Sequence, residues 1–428
     1  MLFLFLTQIV FAEPISLKQA LDLAERQNQE LRAQSFQIDQ ARFDEDRVGG
    51  EFGPKLDALL GVGPNSRATG NALQSSSDTN HWGRTFLGKF VLTQPLYTFG
   101  RQGNYADAAR AGVAVERAEY SGKVSEIRYQ VKEAYYGYQL ANSLRDFIEG
   151  GKAELLKALE KRKKNAESKD GFRLEIFLAE VESREAEVKK YFELARAGLA
   201  LRIGQSAEQL AIKDPWLVPE ERKLEPFEFY WRQAQENRGE FQQLREGILA
   251  KTSLARAEKK ALWPALVALA SYEFADTNVR PEQPSLFAND PYNRSALALG
   301  VGLKMDFQWS LAQAKAGKLL AEASELEAKQ SFAQQGIQTE LKKAYFEVEE
   351  ASTRLKAAKT AYAVGKKWLT KEVIGYASGL AGTSGLVEAY GARAETAKTY
   401  FEAVHRHHLA WATLAKVVGK EIDPIMAR

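Results

Sequence analysis

Three histidines near the C-terminal end, His405, His407 and His408, are the residues whose types and spacing come closest to doing chemistry. His405 and His408 are three apart, so a helix would bring both imidazoles to one face, where a metal could sit. No carboxylate completes the set at a metal-motif spacing, and His408 falls on a packing stripe. A buried or capped histidine is therefore the better reading. Gly61-Val-Gly63 and Gly300-Val-Gly302 lie inside strand patterns and lack the Lys-Ser/Thr of a phosphate loop, so they read as places where a strand is thinned for curvature or a close neighbour. The run Lys161-Arg162-Lys163-Lys164 could meet an acidic partner, but beside a turn it reads as solvated surface. Neither G-x-S-x-G nor H-E-x-x-H occurs, and the absence of cysteine removes disulfides, thiolate metal sites and cysteine nucleophiles together. An enzyme is the weakest class, and no cofactor is indicated.

The elements that carry these residues are unusual. Around Leu92–Gln102, LTQPLYTFGRQ, an alternating run gives way to a long helical pattern. Phe86, Gly88, Phe90 and Leu92 alternate with Thr85, Leu87, Lys89 and Val91, the period of a strand with two unlike faces. Pro95 is expected to stop the ladder, having no N–H to donate. Beyond Gly100 the chain runs without proline to about Ser168, rich in Ala, Glu, Lys and Arg, which predicts a helix about 100 Å long.

This arrangement occurs twice. Pro54 answers Pro264, and VKEAYYGY at Val131–Tyr138 answers LKKAYFEV at Leu341–Val348, both at an offset of 210. LKMDFQWSLAQ, Leu303–Gln313, answers the junction with Asp306 in place of Pro95. The reading is a leader at 1–12, a first repeat at 13–212, a connector at 213–226 bearing Pro215, Pro219 and Pro226, and a second repeat at 227–428. Each repeat is expected to hold a helix (16–50; 227–262), a strand hairpin (55–97; 265–307) and a long helical hairpin (102–204; 310–419). Polar loops are expected at Pro64–Gly83 and Asp276–Tyr292. The seam residues Ile337, Leu341, Ala344, Val348, Ala351, Leu355 and Ala358 keep coiled-coil spacing, as do Ala397, Phe401, Val404, His408, Trp411, Ala415 and Val418.

Charged residues make up 27% of the chain with a formal net charge of +3, so nucleic acid is not favoured. MLFLFLTQIVFA fits a secretory apolar segment with cleavage after Ala12, though without a charged start. No other apolar run approaches the ~20 residues of a membrane helix. If the exported chain enters a membrane, it does so with strands, each about the length a tilted crossing needs, and with Trp82, Phe86, Tyr97 and Phe99 as an interfacial girdle. Four strands cannot close a barrel, so closure needs two or three chains. A soluble periplasmic coiled-coil adaptor or scaffold, its hairpins forming an ordinary β domain, is the competing reading.

Over nearly its full length after the leader, the chain resembles the TolC-type outer-membrane efflux channels. The carriers are the duplication, the junction QPLYTFGR at Gln94–Arg101, in which Gln94, Pro95 and Gly100 stand out, and the second tip, GYASGLAGTSGLVEA. The resemblance implies a mixed α/β membrane protein: a homotrimer whose four strands per chain build a 12-stranded β-barrel in outer-membrane lipid, continued by a periplasmic α-helical coiled-coil tube. It also implies a periplasmic adaptor and an inner-membrane transporter as partners, a passive exit duct for small molecules or proteins, and no cofactor. Carried over by position, Tyr376 matches a gate tyrosine, Glu388 an acid-ring position and Glu175 the acid of the first tip. Ala381 and Gly385 depart, standing where an arginine and a second ring acid are expected.

Overall fold

The computed structural model describes residues 14–70, 74–160, 169–283, 287 and 289–422. The expected leader and the basic run Lys161–Lys164 lie outside the described residues. The first half contains α1 (Leu17–Gln27), α2 (Gln29–Glu51), β1 (Lys55–Gly70), β2 (Ser75–Tyr97), α3 (Arg101–Glu160) and α4 (Lys169–Ile203). The second repeats that order with α5 (Phe227–Asn237), α6 (Gly239–Lys260), β3 (Ala265–Thr277), β4 (Arg294–Lys304), α7 (Trp309–Ala377) and α8 (Thr383–Val418). The connector 213–226 holds neither helix nor strand.

Three expectations are corrected. The opening helix of each repeat is broken in two, at Asn28 and at Arg238, positions that share the 210-residue offset. Both residues are extended, with φ −69° and ψ 122° at Asn28 and φ −75° and ψ 124° at Arg238. Asn28 restarts the helix itself, its Oδ1 accepting from the N–H groups of Glu30 (2.8 Å) and Leu31 (3.1 Å). Arg238 uses other chemistry, pairing with Glu340 (2.7 Å) and Glu240 (3.1 Å). Second, most of Pro64–Gly83 is strand and not loop: β1 and β2 stay paired out to Gly70 and Ser75, with one irregularity at Ser66/Arg67. The Ser- and Thr-rich residues there suit a ribbon, and Pro64 is accommodated on an outer strand. Third, Pro95 does not stop β2, which runs to Tyr97. Pro95 pairs with Val267, and the register shifts between it and Tyr97.

Two compact units divide the chain, and each draws on both repeats. One comprises the residues up to Phe36, Arg117–Gln243 and everything from Gln330; the other comprises Gln37–Glu116 and Leu244–Lys329.

In the first unit the helical seams are buried as their spacing predicts. All seven seam positions from Ile337 to Ala358 are at most 9% exposed, and Leu341 and Val348 are fully buried. Burying a Leu- or Val-sized side chain contributes about 1.5–3 kcal/mol, so this stripe, more than any polar contact, fixes how α7 packs. Outer faces carry exposed pairs such as Lys343–Glu347 and Glu350–Arg354, worth about 0.2–0.5 kcal/mol each. The connector is held by hydrogen bonds from Gln139 Nε2 to the Asp214 carbonyl (2.6 Å), from the Leu217 N–H to Ser143 Oγ (2.9 Å) and from Trp216 Nε1 to Asp146 (2.9 Å).

In the second unit lies one antiparallel sheet of order β1-β2-β3-β4. The two hairpins meet along β2 and β3, where Phe90 pairs with Tyr272 and Leu92 with Ala270.

Candidate channel wall and gate

Residues paired across an antiparallel ladder share a face, so the register sorts the sheet into two surfaces. On one lie Leu56, Leu60, Val62, Leu297, Leu299 and Val301, between 62% and 75% exposed. Phe90 and Tyr272 stack between them at 6.5 Å, and the Phe274 ring lies over Gly88, where a Cβ would collide with it. Such a broad exposed apolar face is costly in water and suited to lipid. At its ends Trp82 and Tyr97 are 62% and 57% exposed, the placement of a girdle.

The opposite face is mixed, with Leu59, Leu87 and Leu269 exposed beside the sheet's central charges. Lys89 and Arg294 both pair with Glu273, Lys89 at 2.8 Å, and Thr85, Thr93 and Ser271 lie on the same side by register. The Gly-Val-Gly glycines also lie on this face. Gly61 makes room for Leu87, whose side chain is 3.1 Å from where a Cβ would stand, whereas Gly63, Gly300 and Gly302 look onto open space. The Lys89–Glu273–Arg294 group was not singled out in the sequence. Its signal was available: Lys89 and Glu273 each stand inside an otherwise uncharged alternating run.

The junction residues have distinct jobs. Gln94 Nε2 donates to the Pro95 carbonyl (2.7 Å) and more weakly to the Phe52 carbonyl (3.4 Å). Phe99 and Gly100 are successive left-handed residues (φ 53° and 87°) that reverse the chain out of β2, an unusual conformation for Phe. The Phe99 ring is held between Tyr97 (4.8 Å) and Trp263 (6.0 Å). Thr98 Oγ1 then accepts from the Gln102 N–H (3.2 Å) at the start of α3.

The second helical tip is a tight turn. Leu380 and Ala381 donate to the Gly375 carbonyl (2.8 and 3.1 Å), and Gly379 is left-handed at φ 74°. Beneath it Leu155, Leu174, Leu386 and Tyr390 form a small core against which Tyr376 packs, half-buried. Burial raises the Tyr390 hydroxyl pKa, with the Glu154 charge adding to it. The structure thus joins the helices that carry the three predicted gate residues, but it leaves Glu175 and Glu388 exposed. The sequence missed a third acid: Glu372 on α7 reaches over Gly385, its Oε2 2.9 Å from where a Cβ would stand. Only pairing across the tip brings position 372 to position 385.

The histidines serve packing. His408 Nε2 donates to the Val218 carbonyl (2.8 Å) and its ring stacks on Tyr136 at 4.5 Å, while His407 Nε2 accepts from Trp411 Nε1 (3.2 Å). Burial and the neighbouring His408 push the His405 and His407 pKa values down to about 4. Among the described residues no group of three or more His, Asp or Glu is placed to hold a metal, and no described helix is long and apolar enough to cross a membrane.

Residues 20–167 match the family described as outer membrane efflux protein. The whole fold is similar to that of solved outer-membrane channels. CusC is 16% identical with a TM-score of 0.73, the match covering 96% of this chain and 93% of that one. VceC from Vibrio cholerae is 15% identical with a TM-score of 0.72, covering 94% and 96%. MtrE from Neisseria gonorrhoeae, solved in an open state, is 18% identical with a TM-score of 0.71, covering 95% and 89%. No match was found among curated proteins. The fold is therefore that of the solved outer-membrane channels, with strands and long helices in one chain.

Proposed function

We propose that this chain is one protomer of a homotrimeric outer-membrane exit duct, through which a periplasmic adaptor and an inner-membrane transporter pass small molecules or proteins. The two-faced four-stranded sheet carries the reading. Its outer strands, β1 and β4, each have one ladder edge without a partner in the sheet, and an exposed edge in lipid is prohibitive. Three chains, β1 of each against β4 of the next, close twelve strands with the apolar face outward and the Lys89–Glu273–Arg294 face on the lumen. The division into two repeats joined by the 213–226 connector belongs to the same proposal. Detergent-solubilised particles should weigh three chains by light scattering after subtraction of detergent. A water-soluble monomer would return the chain to the adaptor reading.

At the periplasmic tip we assign the gate to Tyr376, Glu175 and Glu388, with Glu372 supplying over Gly385 the second acid that α8 lacks. Threefold repetition makes these acids rings that favour cations. In planar bilayers, Glu388→Ala together with Glu372→Ala should shift the reversal potential towards anions. Unchanged selectivity would remove both residues from the gate.

A further inference from the structure

The segment after β3 leaves the plane of the sheet. Asn278 still follows the ladder, its N–H donating to the Arg84 carbonyl (3.4 Å) and its Oδ1 accepting from the Arg84 N–H (2.9 Å). One residue later the Val279 carbonyl accepts from the N–H of Ala68 (3.2 Å), which is on β1, so the chain has crossed β2 to get there. The side on which it crosses is fixed at Gly83, where a Cβ would run into the Val279 side chain. Gly83 pairs with Asn65 in unbroken register with Thr85 and Lys89, and therefore presents the face that carries Lys89. Arg280 confirms the side. Its Nη2 donates to Asn65 Oδ1 (3.3 Å), and its guanidinium lies 3.8 Å from the Tyr292 ring centroid.

The crossing is anchored at both ends. Asp290 accepts from three backbone N–H groups, those of Tyr292 (2.8 Å), Gln283 (3.1 Å) and Asn293 (3.2 Å). These bonds hold its carboxyl below the usual range against the opposing effect of desolvation. Asn293 Oδ1 accepts from the Thr277 N–H (3.0 Å), its Nδ2 donates to the Arg280 carbonyl (3.1 Å), and Gln283 Nε2 donates to the Gly70 carbonyl (3.0 Å). A segment bonded at this density stays in place.

We infer that residues 278–283 form a fixed strap across the lumen face, and that three straps narrow the outer mouth of the duct into a size filter framed by Val279 and Arg280. The inference rests on the trimeric channel reading. It gives the duct a selective element at the end of the sheet away from the helices, and selection there is by size, with the polar group of Lys89, Glu273 and Arg294 further along the same face.

Because the chain has no cysteine, a single introduced thiol reads access directly. Ser271→Cys lies on the face that carries Lys89 by register with Val91 and Ala298. The full-length protein in intact cells would be treated from outside with a small charged methanethiosulfonate and with a maleimide carried on a bulky polyethylene glycol. The small reagent should label readily and the bulky one slowly. Val279→Gly with Arg280→Ser should speed the bulky reagent several-fold and leave the small one unchanged. Gly83→Ala, whose added methyl would collide with the Val279 side chain and with Asn278 Oδ1 and so displace the strap, should do the same and stands in if the double variant fails to assemble. Equal bulky-reagent rates with and without the strap would overturn the inference. No labelling by the small reagent would instead overturn the water-filled lumen, and the strap with it.

Discussion

At the scale of single residues, the buried polar atoms without partners are positions where the right substitution can hold or raise stability. Thr383 is fully buried at the start of α8, and its hydroxyl has no hydrogen-bond partner. A buried, unpaired hydroxyl costs stability that a methyl of the same shape does not. Thr383→Val should leave the melting temperature of the detergent-solubilised protein equal or higher, whereas Thr383→Ala, which opens a void, should lower it by the equivalent of about 1 kcal/mol. His405 and His407 set an acid limit. Their folded pKa values, about 4, lie below the ordinary 6.5, so the unfolded chain takes up protons first as pH falls. Their stabilisation is complete above about pH 6.5 and is lost progressively between about 6.5 and 4. Circular-dichroism melts across that window should show a falling midpoint, less steep in His405→Leu, whose Nε2 has no partner to lose. Spacing alone showed that His408 would pack, because it falls on a heptad stripe. Glu372 was invisible, because its meaning depends on a glycine across a turn.

At the scale of elements, the left-handed glycines that end the returning helices carry the second prediction. Gly204 (φ 67°) closes α4 against Gln27, and Gly419 (φ 77°) closes α8 against Asn237 and Arg238, each beside the break in its own repeat's opening helix. A side chain at Gly419 would meet the Asn237 carbonyl at 2.9 Å as well as bearing the left-handed backbone, whereas at Gly100 (φ 87°) only the backbone objects, for nothing lies within 4 Å. Gly100→Ala should therefore cost about 1–2 kcal/mol and Gly419→Ala distinctly more, as read by the loss of helical signal on heating. Equal losses would mean the close approach at Gly419 carries no energy. Long elements were readable because strict periodicity repeats over many residues. The breaks were not, since Asn28 and Arg238 share no side-chain chemistry and interrupt the helix at a single residue. The strands of Pro64–Gly83 were hidden by residues that suit loops and ribbons alike.

At the scale of the whole molecule, the assignment of the sheet faces can be tested at two neighbouring positions of β4. Leu299 is 75% exposed on the apolar face, and Ala298 occupies the opposite one. Leu299→Arg should weaken membrane assembly by about 2–4 kcal/mol per chain, the cost of a cation near mid-membrane. Ala298→Arg should assemble normally, and the reverse ranking would turn the barrel inside out. The fold class was legible because strand alternation and long helical periodicity are set by pattern more than by residue identity. The group of Lys89, Glu273 and Arg294 and the crossing over Gly83 needed the register. That register also sets an order in time. Each hairpin closes over a short span, but the β2–β3 ladder joins residues such as Thr85 and Thr277, 192 positions apart, which adds roughly 2 kcal/mol of closure entropy over a short hairpin. The hairpins should form first and the seam between them last. Hydrogen exchange during refolding should thus protect the amides paired across β2 and β3 after those of the β1–β2 ribbon, and simultaneous protection would contradict this order. The crossing over Gly83 spans that seam, so this end of the sheet takes its shape only at the final step of building it.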